Sequence, residues 1–359
     1  MAAVASPEVP PGINYRGVSD FFAANVPGGD CELSFSLISG GRSNLTYLAQ
    51  GGERKWVVRR PPLGHVLPTA HDMAREYRVL EGVSKRDFPA PRPIALCEDS
   101  SINEYPFYVM DYREGVILDT ELPDGFATTP VERREIGLGM VRTLAALHSI
   151  DFEDVGLAEF GRPWGYVERQ VRRWAEQWER SKTADLPQVD ELIDRLRNAI
   201  PESPAPAIVH GDYRLGNIML DFNDPRRTVA VLDWEMATLG DPLADLGYTL
   251  IYWGNDGDSR DEVELRPQKK LTMQPGFLTR EELIGEYAGA TGSDVSKIDF
   301  YQVLAIYKLA VITEGIYARF LKGQTVGEGF GNYDRTAERL MDWALKLADQ
   351  SSDPKLCRA

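Results

Sequence analysis

Between Cys31 and Arg59 the apolar positions recur with a period of two. Leu33, Phe35 and Leu37 alternate with polar residues, Leu45, Tyr47 and Ala49 do so again, and Lys55-Trp56-Val57-Val58-Arg59 supplies a third run that stops at Pro61-Pro62. Alternate residues of a strand share one face. Three antiparallel strands are therefore expected, the first two joined by Gly40-Gly41-Arg42-Ser43-Asn44 and the last two by Gly51-Gly52. The period then changes: Met73, Glu76, Tyr77 and Leu80 fall at i, i+3, i+4 and i+7, one side of a helix that Thr69 with Asp72 can cap. Glu76 thus stands on an otherwise apolar face, where a lone carboxylate is costly. The strand residue Arg59 is its expected partner.

Phe107-Tyr108-Val109-Met110 reads as a further strand, and the polar, glycine-terminated Asp111-Tyr112-Arg113-Glu114-Gly115 after it is the expected lobe boundary. Beyond it the pattern is helical. Thr129-Pro130-Val131-Glu132 is a capping box with proline at the first helical position, heading a helix through Leu138, Val141, Leu144, Ala145 and His148. Residues 166–200 continue in helical style, and the region after Leu283 does so again through Leu304, Leu309 and Ile312. Residues 1–28, rich in Pro, Gly and Ala around Val18, Phe21 and Phe22, read as a loosely tethered arm with about one helical turn. The expected division is an arm (1–28), a sheet-bearing lobe (29–110), a hinge (111–115) and a mainly helical lobe (116–359).

Composition removes several function classes. The chain's 359 residues suffice for two lobes, at about 150 residues per domain. Lys plus Arg total 40 against 55 Asp plus Glu, a net charge of −15, which argues against a nucleic-acid partner. Cys31, Cys97 and Cys357 are odd in number, widely spaced and free of any CxxC, so neither a disulfide framework nor a zinc ribbon is expected and a reducing cytoplasm fits best. With four histidines and no HExxH, a metal would be held by oxygen. No apolar run approaches a membrane helix, and the start lacks a basic segment followed by a hydrophobic core, so neither a membrane-spanning nor a secreted chain is expected.

The chemistry concentrates between Ile208 and Tyr248. His210-Gly211-Asp212 is followed five positions on by Asn217, then Ile218-Met219-Leu220, a polar turn, Thr228-Val229-Ala230-Val231-Leu232 and Asp233. If the two apolar runs pair as a hairpin, Asn217 and Asp233 meet at one mouth. An amide oxygen beside a carboxylate, with Asp212 one loop away, suits a nucleotide-bound Mg2+ and a hydroxyl nucleophile. Phosphoryl transfer passes through a loose, charged transition state, so positioning and neutralisation matter more than a strong base. Asp212 would orient the acceptor hydroxyl and take its proton late, and Arg214 could reach the transferred phosphate. The plainer alternative is a set of turn residues capping their own backbone.

Other residues carry weaker signals. His210 precedes a tight turn and is expected to bond loop backbone rather than move protons. Asp245 is either a substrate ligand or, preferably, an acceptor for catalytic-loop donors, and His148 a satisfied core histidine. Gly327, Gly329 and Gly331 imitate a nucleotide loop but follow a helix rather than a strand, so they are taken as a flexible connection. The aromatic residues at 166–178 and 248–253 are helix core or walls of an acceptor pocket. Arg169, Arg172 and Arg173 either solvate a helix face or help to hold an acyl-CoA.

HGDYRLGN with the downstream aspartate of VLDWE resembles the aminoglycoside phosphotransferase and choline kinase-like family, over roughly residues 30–345. The resemblance implies an α+β, two-lobed protein kinase-like fold, with a small antiparallel-sheet lobe and a larger helical one. It implies ATP and Mg2+ as cofactors, Asp212 as catalytic aspartate, and Asn217 and Asp233 as metal ligands. Arg59 would contact the α- and β-phosphates, Glu76 would hold it, Gly40 to Asn44 would cover the phosphates, and Asp111 to Arg113 would contact adenine. Two departures stand out: arginine replaces the family's usual strand lysine, and Trp234-Glu235 follows Asp233 where Phe-Gly is usual.

VVRRPP, LPTAHDMAREYRVL and VLDWEMATLGDPLADLGY are further similar to the kinase-like domains fused to some acyl-CoA dehydrogenases, a subgroup that uses arginine on that strand. The implied function is transfer of the ATP γ-phosphoryl to a small-molecule hydroxyl, preferably of a hydroxyacyl-CoA. An aminoglycoside acceptor, or a catalytically silent nucleotide- or acyl-CoA-binding protein, are the alternatives.

Overall fold

The computed structural model of the chain describes residues 9–39, 44–63, 71–324 and 330–357. It divides into two compact units, Met1–Glu114 and Gly115–Ala359.

The first unit is built on five antiparallel strands. β1 (Ser34–Ser39), β2 (Leu45–Gly51), β3 (Arg54–Arg60), β4 (Pro93–Cys97) and β5 (Phe107–Asp111) lie in the order β1-β2-β3-β5-β4. Alternation sorts their side chains to two faces. Phe35, Tyr47, Trp56, Val58, Phe107 and Val109 form one core with α1 (Tyr15–Asn25), while Tyr108 reaches α2 (Met73–Val83). Asp72 itself caps α2, its side chain accepting from the Arg75 N–H, and Thr69 lies outside the described residues. A short helix, α3 (Ser100–Asn103), joins β4 to β5.

The loosely tethered arm is corrected. Residues 15–25 form three turns of helix that bury Val18, Phe21 and Phe22, and the Phe22 ring stands edge-on to Phe35 and Trp56 at 6.2 and 5.7 Å. The segment before the helix is tied down as well. Tyr47 donates its hydroxyl to the Pro11 carbonyl at 2.6 Å, and Arg60, 1% exposed, donates to the Gly12 carbonyl. Val18, Phe21 and Phe22 sit at helical spacing, and their burial outweighs the Pro- and Gly-rich flanks that suggested a mobile arm.

The second unit is mainly helical. β6 (Val116–Ile117) pairs with β8 (Ile218–Leu220), which pairs with β9 (Thr228–Val231), and β7 (Ala207–Val209) pairs with β10 (Thr238–Gly240). The capping box at Thr129 opens α4 (Pro130–His148) as expected. Residues 166–200 form two helices, α5 (Tyr166–Ser181) and α6 (Pro187–Asn198), because Pro187 starts a new first turn. α7 (Leu243–Tyr252), α8 (Arg260–Leu265), α9 (Lys269–Thr272) and α10 (Arg280–Thr291) follow. The long α11 (Ile298–Leu321) packs against α5, α7 and α12 (Thr336–Asp349). Gly327 and Gly329 lie outside the described residues, and Gly331 falls in a short 3-10 turn before α12.

Candidate active site

The His210–Asp212 turn, expected to be the catalytic loop, is held by backbone hydrogen bonds to one carboxylate. β7 ends at Val209, and Gly211 turns the chain with φ +85°, where a Cβ would come within 2.6 Å of the Met236 carbonyl oxygen. Only glycine accommodates both. The His210 and Gly211 N–H groups donate to the two oxygens of Asp245 at 2.6 and 2.7 Å. Asp245 is fully buried on the first turn of α7 and also meets His148 Nε2 at 3.3 Å, whose Nδ1 faces the Tyr287 hydroxyl at 2.7 Å. Burial pushes the Asp245 carboxyl up, but the His148 hydrogen bond and charge outweigh it and hold it below its ordinary value. Asp245 is thus an acceptor for loop donors, and His148 a satisfied core histidine.

His210 also behaves as a loop brace. Its Nδ1 accepts from the Asp212 N–H at 3.3 Å, which leaves Nε2 to donate to the Leu232 carbonyl at 2.9 Å. The ring therefore links the HGD turn to the strand end that carries Asp233.

Asn217 and Asp233 are brought together as the hairpin requires. Ile218 pairs with Val231, and the Leu232 N–H donates to the Asn217 carbonyl at 2.8 Å, one residue before Asp233. Asp233 holds a left-handed backbone, φ 66° and ψ 66°, a conformation uncommon for any residue but glycine. Asn217 is 6% exposed, and its Nδ2 donates to the Asp212 carbonyl at 2.8 Å and to Asp212 Oδ2 at 2.7 Å. Its Oδ1 is thereby left as the uncommitted end among the described residues. One amide oxygen and one carboxylate are hard donors of the type Mg2+ takes when substrate phosphates and water complete its octahedron. No group of three or more His, Cys, Asp or Glu side chains is placed to hold a metal among the described residues.

Around Asp212 the structure gathers Arg214 and Tyr248, both named from the sequence, and Lys308, which spacing did not single out. The Tyr248 hydroxyl stands 3.2 Å from the Tyr252 hydroxyl, and burial, then the nearby Asp212 charge, pushes the Tyr248 phenol up. Arg214 Nε lies 3.6 Å from Asp212 Oδ1, with Nη1 3.3 Å from Asp119. Burial pulls the Arg214 guanidinium down, but Asp212, Tyr252 and Tyr248 raise it by more. Lys308, on α11, donates to the Gly211 carbonyl at 2.9 Å and sits 4.9 Å from the Tyr248 ring centre. Burial pulls its ammonium below the ordinary lysine value. The signal for Lys308 was a lone cation inside the apolar run of α11.

Tyr166, Trp174, Tyr248 and Lys308 line a cleft under this loop, with an empty volume of about 380 Å3 including open solvent. The aromatic stretches thus divide between core and wall: Trp178 is 2% exposed, whereas Tyr166, Trp174 and Tyr248 face the cleft. Arg172 pairs loosely with Glu176 on an exposed helix face, Arg169 donates to the Trp164 and Arg162 carbonyls, and Arg173 lies over Trp174.

In the first unit Arg59 Nε lies 2.8 Å from Glu76 Oε2, with Glu76 2% exposed. Glu76 also accepts from the Tyr108 hydroxyl at 3.0 Å and from Asn44 Nδ2, while Asn44 Oδ1 faces His71 Nδ1 at 2.7 Å. Asn44, expected in a phosphate-covering loop, is 4% exposed with its amide on Glu76 and His71. Gly40, Gly41, Arg42 and Ser43 lie outside the described residues. Asp111, expected in the hinge, closes β5, accepts from the Arg92 N–H at 2.6 Å and pairs with Arg113 at 2.8 Å. The Tyr112 ring centre lies 5.1 Å from Lys55 Nζ.

Residues 34–270 match the family model described as "Phosphotransferase enzyme family". The chain is 35% identical over 326 residues to acyl-CoA dehydrogenase family member 11 of Gallus gallus, covering 89% of this chain but 41% of that protein. It therefore spans under half the length of that relative. A crystal structure of a presumed aminoglycoside phosphotransferase from Ralstonia eutropha superposes with a TM-score of 0.77 at 31% identity, covering 92% of this chain and 98% of the other. The fold, though with only 13% identity, is shared by a thermostable mutant of the aminoglycoside phosphotransferase APH(4)-Ia crystallised with ADP and hygromycin B, at a TM-score of 0.60 over 93% of this chain and 98% of that one. The fold class is accordingly the expected α+β, kinase-like one. No helix among the described residues is long and apolar enough to cross a membrane.

Proposed function

This chain belongs to the phosphotransferase enzyme family, and from that premise we propose that it is a small-molecule kinase moving the γ-phosphoryl of ATP to the hydroxyl of a hydroxyacyl-CoA. The observation that carries the reading is the fixed pair at the loop: Asn217 clamps Asp212 through Nδ2 and keeps Oδ1 free, while the paired strands bring the Asp233 backbone alongside. In this reading Asn217 Oδ1 and Asp233 hold Mg2+, which supplies charge neutralisation for the nucleotide phosphates. Asp212 orients the acceptor hydroxyl and takes its proton late in the transfer. Arg214, beside Asp212, meets the phosphoryl group. Arg59, held by Glu76, grips the α- and β-phosphates, and Asp111 to Arg113 meet adenine.

Two observations support the acceptor class. The curated relative bears an acyl-CoA dehydrogenase name, and the side chains nearest Asp212 include the cations Arg214 and Lys308. Cations there oppose a polycationic aminoglycoside. A silent nucleotide-binding role is opposed by the intact Asp212, Asn217 and Asp233. The cysteine pattern supports a cytoplasmic setting.

The test is ADP release coupled to phosphoester formation, followed by phosphorus NMR, with hydroxyacyl-CoA thioesters and aminoglycosides as acceptors, with and without Mg2+. Mg2+-dependent phosphorylation of the thioester, abolished in Asp212→Ala, is expected. Turnover of aminoglycosides alone would reject the acceptor, and no turnover of any acceptor would reject the enzyme.

A further inference from the structure

Arg266, just beyond α8, has no part in the machinery proposed above. Its guanidinium lies 5.4 Å from the centre of the Tyr252 ring, and that of Arg214 lies 5.4 Å from the same ring. The Tyr252 hydroxyl in turn meets that of Tyr248, which feels the Asp212 charge. Two guanidinium groups therefore share one phenol beside the proposed catalytic aspartate. Only one has carboxylate partners. Arg214 faces Asp212 and Asp119, whereas Arg266 donates Nη1 to the Leu265 carbonyl and makes no ion pair among the described residues.

The vacancy has a definite chemistry. Arg266 Nε and Nη2 are both shielded from solvent and without a hydrogen-bond partner among the described residues. Those two N–H groups form the edge of the guanidinium fork that grips a carboxylate or phosphate through two parallel bonds. Buried cations are ordinarily paired, and a second guanidinium nearby raises the need for an anion. Tyr252, whose ring Arg266 faces, also lines a narrow cleft together with Arg214, Thr249, Gly216 and Gln268.

We propose that Arg266, which shares the Tyr252 ring with Arg214, forms an anion site that takes a carboxylate or phosphate group carried by the acceptor. The proposal rests on Asp212 facing the acceptor, as in the function proposed above, and it makes Arg266 a specificity-determining residue. The anion has two possible sources, the phosphates of a CoA moiety or the carboxylate of a free hydroxy acid.

Calorimetric binding to the full chain distinguishes them, with three probes: CoA, a straight-chain hydroxy acid, and the hydroxyacyl-pantetheine thioester, which carries neither phosphate nor carboxylate. At least one anionic probe is expected to bind the wild type more tightly than the neutral thioester by about 10- to 100-fold, and which one does so names the source. Arg266→Met should abolish that preference, Arg266→Lys should restore part of it, and Arg172→Met, on an exposed helix face, should leave it intact. Affinity for a nonhydrolysable ATP analogue should stay the same in all of them. Equal binding of all three probes to the wild type overturns the proposal even if Arg266→Met fails to fold, and so does an unchanged preference in a folded Arg266→Met. Because binding is read without turnover, absence of phosphoryl transfer would count against the kinase reading and leave the anion preference separately measurable.

Discussion

Asp245→Asn tests how the catalytic loop is held. The carboxylate presents two acceptor oxygens, one to the His210 N–H at 2.6 Å and the other to the Gly211 N–H at 2.7 Å, with His148 at 3.3 Å. An amide keeps one acceptor and turns an NH2 group toward the other N–H, so one fully buried donor loses its partner. That loss costs about 1–3 kcal/mol, and the surviving bond weakens by about 1 kcal/mol once its acceptor is neutral. The variant should therefore lose about 3 kcal/mol of stability. Six of the seven tryptophans lie beyond residue 114, so urea unfolding followed by tryptophan fluorescence reports chiefly on the unit concerned.

The same carboxylate predicts an acid limb. Its folded value is depressed by the His148 hydrogen bond and charge against the opposing effect of burial. Its contribution is thus present above the unfolded value, about 3.9, and is lost as pH falls through the lower folded value. Asp245→Asn lacks that contribution at every pH and should lose stability less steeply below about pH 4. Displacement of the loop should also lower kcat by about a hundredfold, the effect of misplacing a reacting group by about an ångström. An Asp245→Asn chain with unchanged urea midpoint and kcat would refute the anchoring role.

Asp212→Asn should lower kcat by about 10²- to 10⁴-fold while leaving the affinity for a nonhydrolysable ATP analogue nearly unchanged, as stopped-flow transfer and equilibrium titration can show. Glu76→Gln should destabilise the first unit by about 3–5 kcal/mol through the broken buried pair with Arg59 and should raise the KM for ATP more than it lowers kcat. Phe22→Ala should cost about 3–5 kcal/mol, read as accelerated hydrogen exchange in β1–β3; unchanged protection there would mean that residues 15–25 are an arm after all.

What could be read in advance was whatever depends on near neighbours in the chain. Strand alternation around Trp56, the capping box at Thr129 and the hairpin that joins Asn217 to Asp233 all follow from spacings of a few residues or one turn. The Arg59–Glu76 pair spans more sequence, yet it was legible because a carboxylate on an apolar helix face demands a cation from an adjacent strand. Beside Asp212, Arg214 and Asn217 were legible but Lys308 was not. Lys308 reaches Gly211 across 97 residues of chain, and its place depends on how α11 packs against α7, which no local period encodes. Arg169, Arg172 and Arg173 were the visible basic cluster, but on α5 they turn to carbonyls, to Glu176 and to Trp174. Net charge is equally silent about local sign: a chain of −15 still sets Lys308, Arg214 and Arg266 around two tyrosines near Asp212. Under the proposed function, those few charges at short range would set the sign of the acceptor, since charges elsewhere on the surface are screened beyond about 8–10 Å.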